Sequence, residues 1–210
     1  ACNAGVKLVD RESTTVDGFE ETFQVNHLSH LVLIDALVAR GDPLNRIALV
    51  GSASHDPTQR GRMPPPLEGD IETFARGKSE AGARTASTQF YTTSKLMITA
   101  VALGLAREHP ERHITCFDPG FMPGTGVAGA PLALRLLLAI RTALGFPTTT
   151  ERSGRALAAL LLDEPAPAPT GTVVDSRLRP GVTSPRVRDE DFQNDVIKVS
   201  RALAKAGATG

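Results

Sequence analysis

The chain has 210 residues, of which 41% are hydrophobic and 22% are charged, as in an ordinary globular domain. Its 23 basic and 23 acidic residues give a formal net charge of zero, so we expect neither a nucleic-acid groove nor a polybasic membrane anchor. The longest apolar region, residues 130–146, is interrupted by Arg135 and Arg141, and we predict no transmembrane segment. Cys2 and Cys116 belong to no Cys/His cluster, so we predict no metal site, and two isolated cysteines favour a cytoplasmic protein.

Strands and helices alternate in the predicted element order. Residues 1–5 (ACNAG) are typical of the last residues of a strand and the loop after it, and we expect further residues upstream of them. In chain order we then predict a helix from Asp17, as its cap, to about Arg40, a strand at Arg46–Ser52 and a long polar insertion loop over 53–89. A helix at Tyr91–Arg107 and a strand at Arg112–Phe117 follow. The last predicted elements are helices at 130–145 and 151–162, a strand at Gly171–Asp175 and a helix at Asp189–Ala206.

This alternation predicts an α/β fold over residues 1–210: a single, partial domain with a Rossmann-like, doubly wound parallel sheet that is N-terminally incomplete. In such sheets, ligands bind beyond the carboxyl ends of the strands. Asn3-Ala4-Gly5, Ser52 and Pro119-Gly120 directly follow predicted strands. We therefore expect the functional site at that edge of the sheet.

Tyr91 is the one tyrosine of the chain, and Lys95 follows it by four residues. On a helix the two side chains share a face, one turn apart. A phenol has a pKa near 10 in water, and a neighbouring ammonium favours the phenolate and lowers that value. The pair is therefore a candidate general acid/base, and the alternative is a chance spacing.

Ser52 and Asn26 are further candidates. Ser52 ends a strand at the predicted ligand edge, where its hydroxyl can hold a carbonyl or alcohol oxygen. The alternative is a serine that caps the turn, and Ser54 competes for the same role. Asn26 lies inside a predicted helix, where its amide competes for backbone hydrogen bonds. A buried Asn26 needs a partner such as a backbone carbonyl or a water, whereas an exposed one needs none.

Three histidines and a leucine-rich run are expected to be structural. No carboxylate or cysteine stands at metal-ligand spacing from His27 and His30, and we predict surface or packing roles for these two and for His55. The run from Leu132 to Leu144 is more typical of a core or a substrate wall than of a membrane-surface helix.

Five motifs, in the right order, resemble the short-chain dehydrogenase/reductase family over nearly the whole chain. Asn3-Ala4-Gly5 is similar to the family's NNAG motif, with Cys2 at the first Asn, and residues 23–30 (FQVNHLSH) are similar to the NHLGHF stretch of the retinol dehydrogenase and protochlorophyllide reductase branch. Val50-Gly51-Ser52 is similar to the strand that delivers the catalytic Ser, and residues 91–95 (YTTSK) are similar to YxxxK. Residues 118–122 (DPGFM) are similar to the PG loop, with Thr125 close to the family's Thr.

The resemblance implies an NAD(P)-dependent oxidoreductase that transfers a hydride between the nicotinamide and a small-molecule ketone or alcohol. Tyr91 would pass a proton to or from the substrate oxygen, and Ser52 would steady that oxygen. Lys95 would lower the phenol pKa and hold the nicotinamide ribose, while Asn26 would hold a water that links Lys95 to solvent. The cofactor carries the redox step.

The resemblance also implies the binding residues. Those for the cofactor would be Asn3, Ala4, Gly5, Tyr91, Lys95, Pro119, Gly120, Met122 and Thr125. Ser52 and Phe121 would contact the substrate, and 126–150 would be a substrate-pocket helix region whose apolar character favours a bulky, apolar substrate. Similarity to the branch favours NADP over NAD. Family members often pair through the helices around 17–40 and 90–107, which implies a homo-oligomer.

Three departures from the family pattern matter. The family places a Gly-rich phosphate-binding turn and the residue that selects NAD or NADP upstream of the NAG motif, and neither is in this sequence, so we expect poor cofactor affinity. Ser52 and Tyr91 (positions 52 and 91) lie 39 residues apart, a long spacing similar to that of the protochlorophyllide reductase branch. That branch carries a Cys where this chain has Phe121.

Two alternative functions stay open. The missing nucleotide-binding half favours a truncated or non-catalytic binding module of the same family, whereas the retained Asn26, Ser52, Tyr91 and Lys95 argue against it. A protochlorophyllide reductase-like, light-dependent activity is the other alternative, and Phe121 argues against that one. Cofactor titration and a pigment-binding test under illumination separate these functions.

Overall fold

A computed structural model describes residues 1–8, 13–58, 63–77, 83–120 and 148–207. The strands are β1 (Arg46–Val50), β2 (His113–Asp118) and β3 (Thr172–Asp175). The helices are α1 (Glu21–Phe23), which continues through a π-helical turn (Gln24–Leu28) into α2 (Ser29–Ala39), then α3 (Ile71–Ala75), α4 (Ala83–Glu108), α5 (Thr150–Leu162), α6 (Pro185–Arg188) and α7 (Glu190–Gly207). A short 3-10 turn (Ala53–His55) follows β1.

The three strands form a parallel sheet in the order β1-β2-β3. Cys2 extends this sheet on the free side of β1, because its N–H donates to the Ala48 carbonyl at 2.8 Å and its carbonyl accepts from the Val50 N–H at 3.0 Å. The predicted strands are confirmed to within two residues at each end. The protein therefore has a Rossmann-like α/β fold.

Side chains alternate between the two faces of the sheet, and each face has its own core. Leu49 and Cys116 belong to the larger core, which α2, α4 and α7 cover. Val50, Phe117 and Val174 belong to the smaller core, which α5 covers. Helices on both faces are what the doubly wound prediction requires.

Helix α4 packs closely on α7. A Cβ placed on Gly104 would lie 2.5 Å from Ile197 Cδ1, so the glycine permits the close approach of the two helices. Because Leu96–Ala102 is buried throughout, α4 forms the centre of the larger core and fixes Tyr91 and Lys95 relative to the sheet.

Three predicted boundaries were wrong. Helix α4 starts at Ala83 rather than Tyr91, since residues 83–90 contain neither Gly nor Pro and bury Phe90. The predicted 53–89 loop also contains α3, which Asp70 caps by accepting the Thr73 N–H at 2.8 Å. The helix predicted from Asp17 begins instead at Glu21, where the Glu20 carboxylate accepts the Phe23 N–H at 2.6 Å.

Two further differences concern the second half of the chain. Helix α6 was not predicted, and it is a single turn in which Ser184 is the N-cap and a proline follows. The predicted helix at 130–145 lies outside the described residues. No helix in the described ranges is long and apolar enough to cross a membrane.

Candidate active site

The carboxyl ends of the parallel strands bring the predicted site residues to one edge of the sheet. Asn3-Ala4-Gly5 follows Cys2 and is exposed, Ser52 follows β1, and Pro119-Gly120 follows β2. These groups are far apart in sequence and adjacent in the sheet order. The prediction that the sheet gathers them at one edge is confirmed.

Lys95 and Tyr91 lie on α4, and Lys95 Nζ is 5.8 Å from the centroid of the Tyr91 ring. The ammonium is buried and donates to the Val50 carbonyl oxygen at 2.9 Å, which fixes it under the end of β1. Burial lowers the pKa of Lys95, while the charges of Cys116 and Asp118 act in the opposite direction. An ammonium has three N–H donors, so this bond leaves donors for another partner.

The pKa of Tyr91 differs from the sequence-based expectation. We predicted that Lys95 lowers it, whereas burial raises it, and the negative charge of Asp118 raises it further. A hydrogen bond with the Ser52 side chain acts in the lowering direction but is the smaller effect. The phenol is therefore held in its protonated form at neutral pH.

Ser52 lies between the end of β1 and the 3-10 turn, and from this position its side chain faces the Tyr91 hydroxyl. Its Oγ accepts the Ser54 N–H at 3.2 Å and lies close enough to the Tyr91 hydroxyl to act on the pKa of the phenol, so it both caps the turn and faces the phenol. The preceding residue, Gly51, must be small, since a Cβ there would lie 2.6 Å from Cys116 Sγ. Between the two candidate serines, Ser52 is the one in contact with Tyr91, and Ser54 Oγ is buried without a hydrogen-bond partner in the described part of the chain.

Asn26 is fully buried in the π-helical turn, and its amide clamps the backbone of Val6. Oδ1 accepts the Val6 N–H at 2.7 Å, while Nδ2 donates to the Val6 carbonyl at 2.9 Å and to Ser94 Oγ at 3.1 Å. The expectation that a buried Asn26 bonds a backbone carbonyl is confirmed. The clamp holds the loop after Cys2 against α4, and π-helical turns are frequent at functional sites.

Asp118 and His55 were not among the predicted site residues. The Asp118 carboxylate accepts the Ala53 N–H at 3.2 Å and the Gly120 N–H at 3.0 Å, so it joins the two loops that follow β1 and β2. The sequence indicates the Asp-Pro-Gly turn, but it does not indicate that the Asp118 carboxylate reaches the loop after β1.

His55 is buried and holds the Ser52 loop. Its Nδ1 donates to the Ser52 carbonyl at 2.5 Å, and its Nε2 accepts the Ser184 N–H at 3.4 Å. Burial lowers the pKa of His55, which favours the neutral ring that these two bonds require. His55 therefore has a packing role, as predicted, and the residue that it holds in place is Ser52.

His27 and His30 have packing roles, as predicted. His27 is fully buried beside Phe23, with Nε2 at 2.7 Å from Ser200 Oγ, and burial together with the charge of His30 lowers its pKa to about 3. His30 Nδ1 lies 3.2 Å from the Asn26 carbonyl oxygen. In the residues that the structure describes, no group of His, Cys, Asp or Glu could hold a metal ion.

The loop after β2 is described only as far as Gly120. Gly120 has φ +74°, and a Cβ there would lie 2.7 Å from Thr148 Oγ1, so both its backbone conformation and its surroundings favour glycine. Phe121, Met122 and Thr125 lie outside the described residues, as does most of the 126–150 region.

No family model matches the chain. Over 141 residues, 66% of this chain, it is 33% identical to a WW domain-containing oxidoreductase of Drosophila melanogaster, of which it covers 32%. Over 90 residues, 39% of this chain, it is 36% identical to the chloroplastic protochlorophyllide reductase B of Hordeum vulgare, of which it covers 23%. The chain thus spans about a third or less of the length of these curated relatives.

Solved structures share the fold. An uncharacterised protein from Mycobacterium paratuberculosis matches with a TM-score of 0.64 and 23% identity, over 97% of this chain and 65% of that one. The carbonyl reductase Sniffer of D. melanogaster matches with a TM-score of 0.50 and 16% identity, over 86% of this chain and 64% of that one. These solved structures show the fold, and the curated relatives are an oxidoreductase and a reductase, which agrees with the resemblance of the ordered motifs to the short-chain dehydrogenase/reductase family.

Proposed function

We propose that this protein is an NAD(P)-dependent oxidoreductase that interconverts a ketone and an alcohol. The observation that supports this most directly is the contact between the Tyr91 hydroxyl and the Ser52 side chain, with the Lys95 ammonium buried beside the same ring. The names of both curated relatives, an oxidoreductase and a reductase, agree with this class of reaction.

Tyr91 would exchange the proton. Burial raises the pKa of its phenol, so at neutral pH the hydroxyl carries a proton that it can donate to a substrate carbonyl as the oxygen gains negative charge. Ser52 would hold the same oxygen, since its hydroxyl already lies within hydrogen-bonding reach of the phenol. Lys95, the buried cation nearby, would stabilise the phenolate that remains after proton transfer.

The residues present fit the nicotinamide end of the cofactor. Lys95 has unused donors for ribose hydroxyls, and the exposed backbone of Asn3-Ala4-Gly5 lies at the same edge of the sheet as Pro119-Gly120. When bound, the nicotinamide supplies or accepts the hydride. Our proposal of NADP over NAD, and of a bulky, apolar substrate, depends on the resemblance to the retinol dehydrogenase and protochlorophyllide reductase branch.

The test is Tyr91→Phe in the whole protein, with NADPH or NADH oxidation as the readout for a panel of ketones and aldehydes. We expect turnover to fall by about a hundredfold or more, because a positioned acid contributes that much, while the cofactor still binds. Ser52→Ala should also lower kcat, and Ser54→Ala is its matched control. Full activity of Tyr91→Phe would refute the assignment.

The similarity to protochlorophyllide reductase B supports a second candidate, a light-dependent reduction of that pigment. The relevant measurement is the loss of protochlorophyllide absorbance under illumination with NADPH. Phe121, which stands where that branch has a cysteine, leads us to expect no reaction. Pigment turnover in light but not in darkness would favour this candidate instead.

A further inference from the structure

Lys7 is a charged residue of the site edge to which the proposed reaction gives no role. It follows the Asn3-Ala4-Gly5 loop by two residues and is exposed. Its Nζ lies 5.5 Å from the centroid of the Tyr91 ring, in cation–π contact. The position is well defined, because Asn26 clamps both the N–H and the carbonyl of the preceding Val6.

The ammonium of Lys7 is not neutralised by the part of the chain that the structure describes. It makes no ion pair there, and the acid whose charge acts on Tyr91 and Lys95 is Asp118. Both Asp118 carboxylate oxygens already accept backbone N–H groups, of Ala53 and Gly120. Partial burial against the Tyr91 ring lowers the pKa of Lys7.

A cation–π contact at an exposed site is weak, and a charge-assisted hydrogen bond to a carboxylate is stronger. An anion that arrives above the Tyr91 ring would therefore draw Lys7 to itself. The phenol hydroxyl, where the substrate oxygen would be held, belongs to that same ring. A carboxylate at Lys7 and a carbonyl at Tyr91 thus fit within one small molecule.

We propose that Lys7 is a specificity residue that binds a carboxylate of the substrate, so that the substrate is a keto acid or hydroxy acid. This inference rests on the proposed function, since Tyr91 must face the reacting oxygen. An apolar body is compatible with it, provided that the molecule carries an acid group a few bonds from the carbonyl. The alternative anion is a phosphate of the cofactor, and the alternative without a ligand is a lysine that merely covers the Tyr91 ring.

Binding can be measured without turnover, because the sequence contains one tyrosine and no tryptophan and its tyrosine emission reports on Tyr91 alone. The full chain would be titrated with 2-oxobutanoate, 4-oxopentanoate and 5-oxohexanoate and with their methyl esters. We expect at least one acid to bind about tenfold or more tightly than its ester. Lys7→Met should abolish this preference, Lys7→Arg should retain it, and Lys198→Met, at an exposed lysine of α7, should leave it unchanged.

No acid preference for any of the three pairs, or a preference that survives Lys7→Met, would overturn the inference. Kinetics with the preferred acid complete the test: Lys7→Met should raise its KM about tenfold, with kcat and the KM of the cofactor unchanged. A raised cofactor KM instead would assign Lys7 to the cofactor and overturn the proposal. If acids bind selectively but no cofactor supports turnover, the proposed function fails, while the anion site at Lys7 stands. If Tyr91-dependent turnover occurs without a preference for acids, only the inference on Lys7 fails.

Discussion

The Asn26 clamp on Val6 allows a stability prediction that can be worked out from the structure. Asn26→Ala removes the two hydrogen bonds to the backbone N–H and carbonyl of Val6, at 2.7 and 2.9 Å, and leaves a small buried cavity. Ser94 loses less, since its Oγ still donates to the Tyr91 carbonyl. With about 1 kcal/mol for each bond and a small cavity cost, we expect the free energy of unfolding to fall by about 2–3 kcal/mol.

Urea unfolding followed by far-ultraviolet circular dichroism measures this change. Asn194→Ala is the matched control, because Asn194 is exposed and accepts one bond from Arg107 at 2.8 Å, so its loss should stay within about 0.5 kcal/mol. Asn26→Asp keeps the acceptor for the Val6 N–H but loses both donors, and it should be at least as destabilising as Asn26→Ala. If Asn26→Ala costs no more than Asn194→Ala, the clamp contributes nothing to stability and our reasoning is wrong.

Three further predictions concern pH, packing and the phenol. Burial lowers the pKa of His27 from 6.5 to about 3, so the unfolded chain binds a proton below pH 6.5 that the folded protein does not, and stability falls with pH. Between pH 6.5 and 5 the free energy of unfolding of the wild type should fall by about 2 kcal/mol more than that of His27→Gln. Urea unfolding at both pH values measures this difference. Gly51→Ala should destabilise the protein by about 1–3 kcal/mol, because the new methyl group overlaps Cys116. Gly154→Ala in α5 should stabilise it by roughly 1 kcal/mol, because the added Cβ meets nothing within 4 Å. Equal effects of the two substitutions in thermal melts would contradict this. The phenolate absorbance of Tyr91, the one tyrosine, should titrate above its ordinary pKa of 10.0, and a lower midpoint would show that burial is not the dominant effect.

The sheet and its functional edge could be predicted because the information is local. Residues 47–50 form a continuous apolar run, and residues 114–117 are apolar apart from Thr115, which is compatible with strands buried on both faces. Once the strands are parallel, their carboxyl ends must share an edge, and the residues that follow them are adjacent whatever the loops do. Ser52 and Gly120 were therefore placed correctly without any knowledge of packing.

Partners that come from distant parts of the chain could not be predicted. Nothing near Asn26 in sequence indicates Val6, and nothing near His55 indicates Ser184, because these contacts depend on how the elements pack. The pKa of Tyr91 shows the same limit. Its neighbour Lys95 is visible four residues away, but the burial that outweighs it is set by the whole fold.

Helix starts were predicted less well than strands. Residues 83–90 are mostly small and polar and lack a clear apolar period, so the first two turns of α4 resemble a loop. Asp17 has the sequence spacing of a capping residue, but the chain turns at Gly18, whose φ is +77°, and Glu20 takes the capping role instead.

The π-helical turn at Gln24–Leu28 makes this segment sensitive to length rather than to composition. A π turn contains one more residue than an α-helical turn, so deletion of a single residue within it would allow α1 and α2 to join as one regular helix. Because the extra residue is accommodated within one turn, α1 and α2 would keep nearly their present relative orientation after the deletion, and only the residues of the turn itself would shift. Phe23 would stay in its core, whereas the Asn26 amide would move away from Val6, so a one-residue deletion here should disturb the candidate site more than the core.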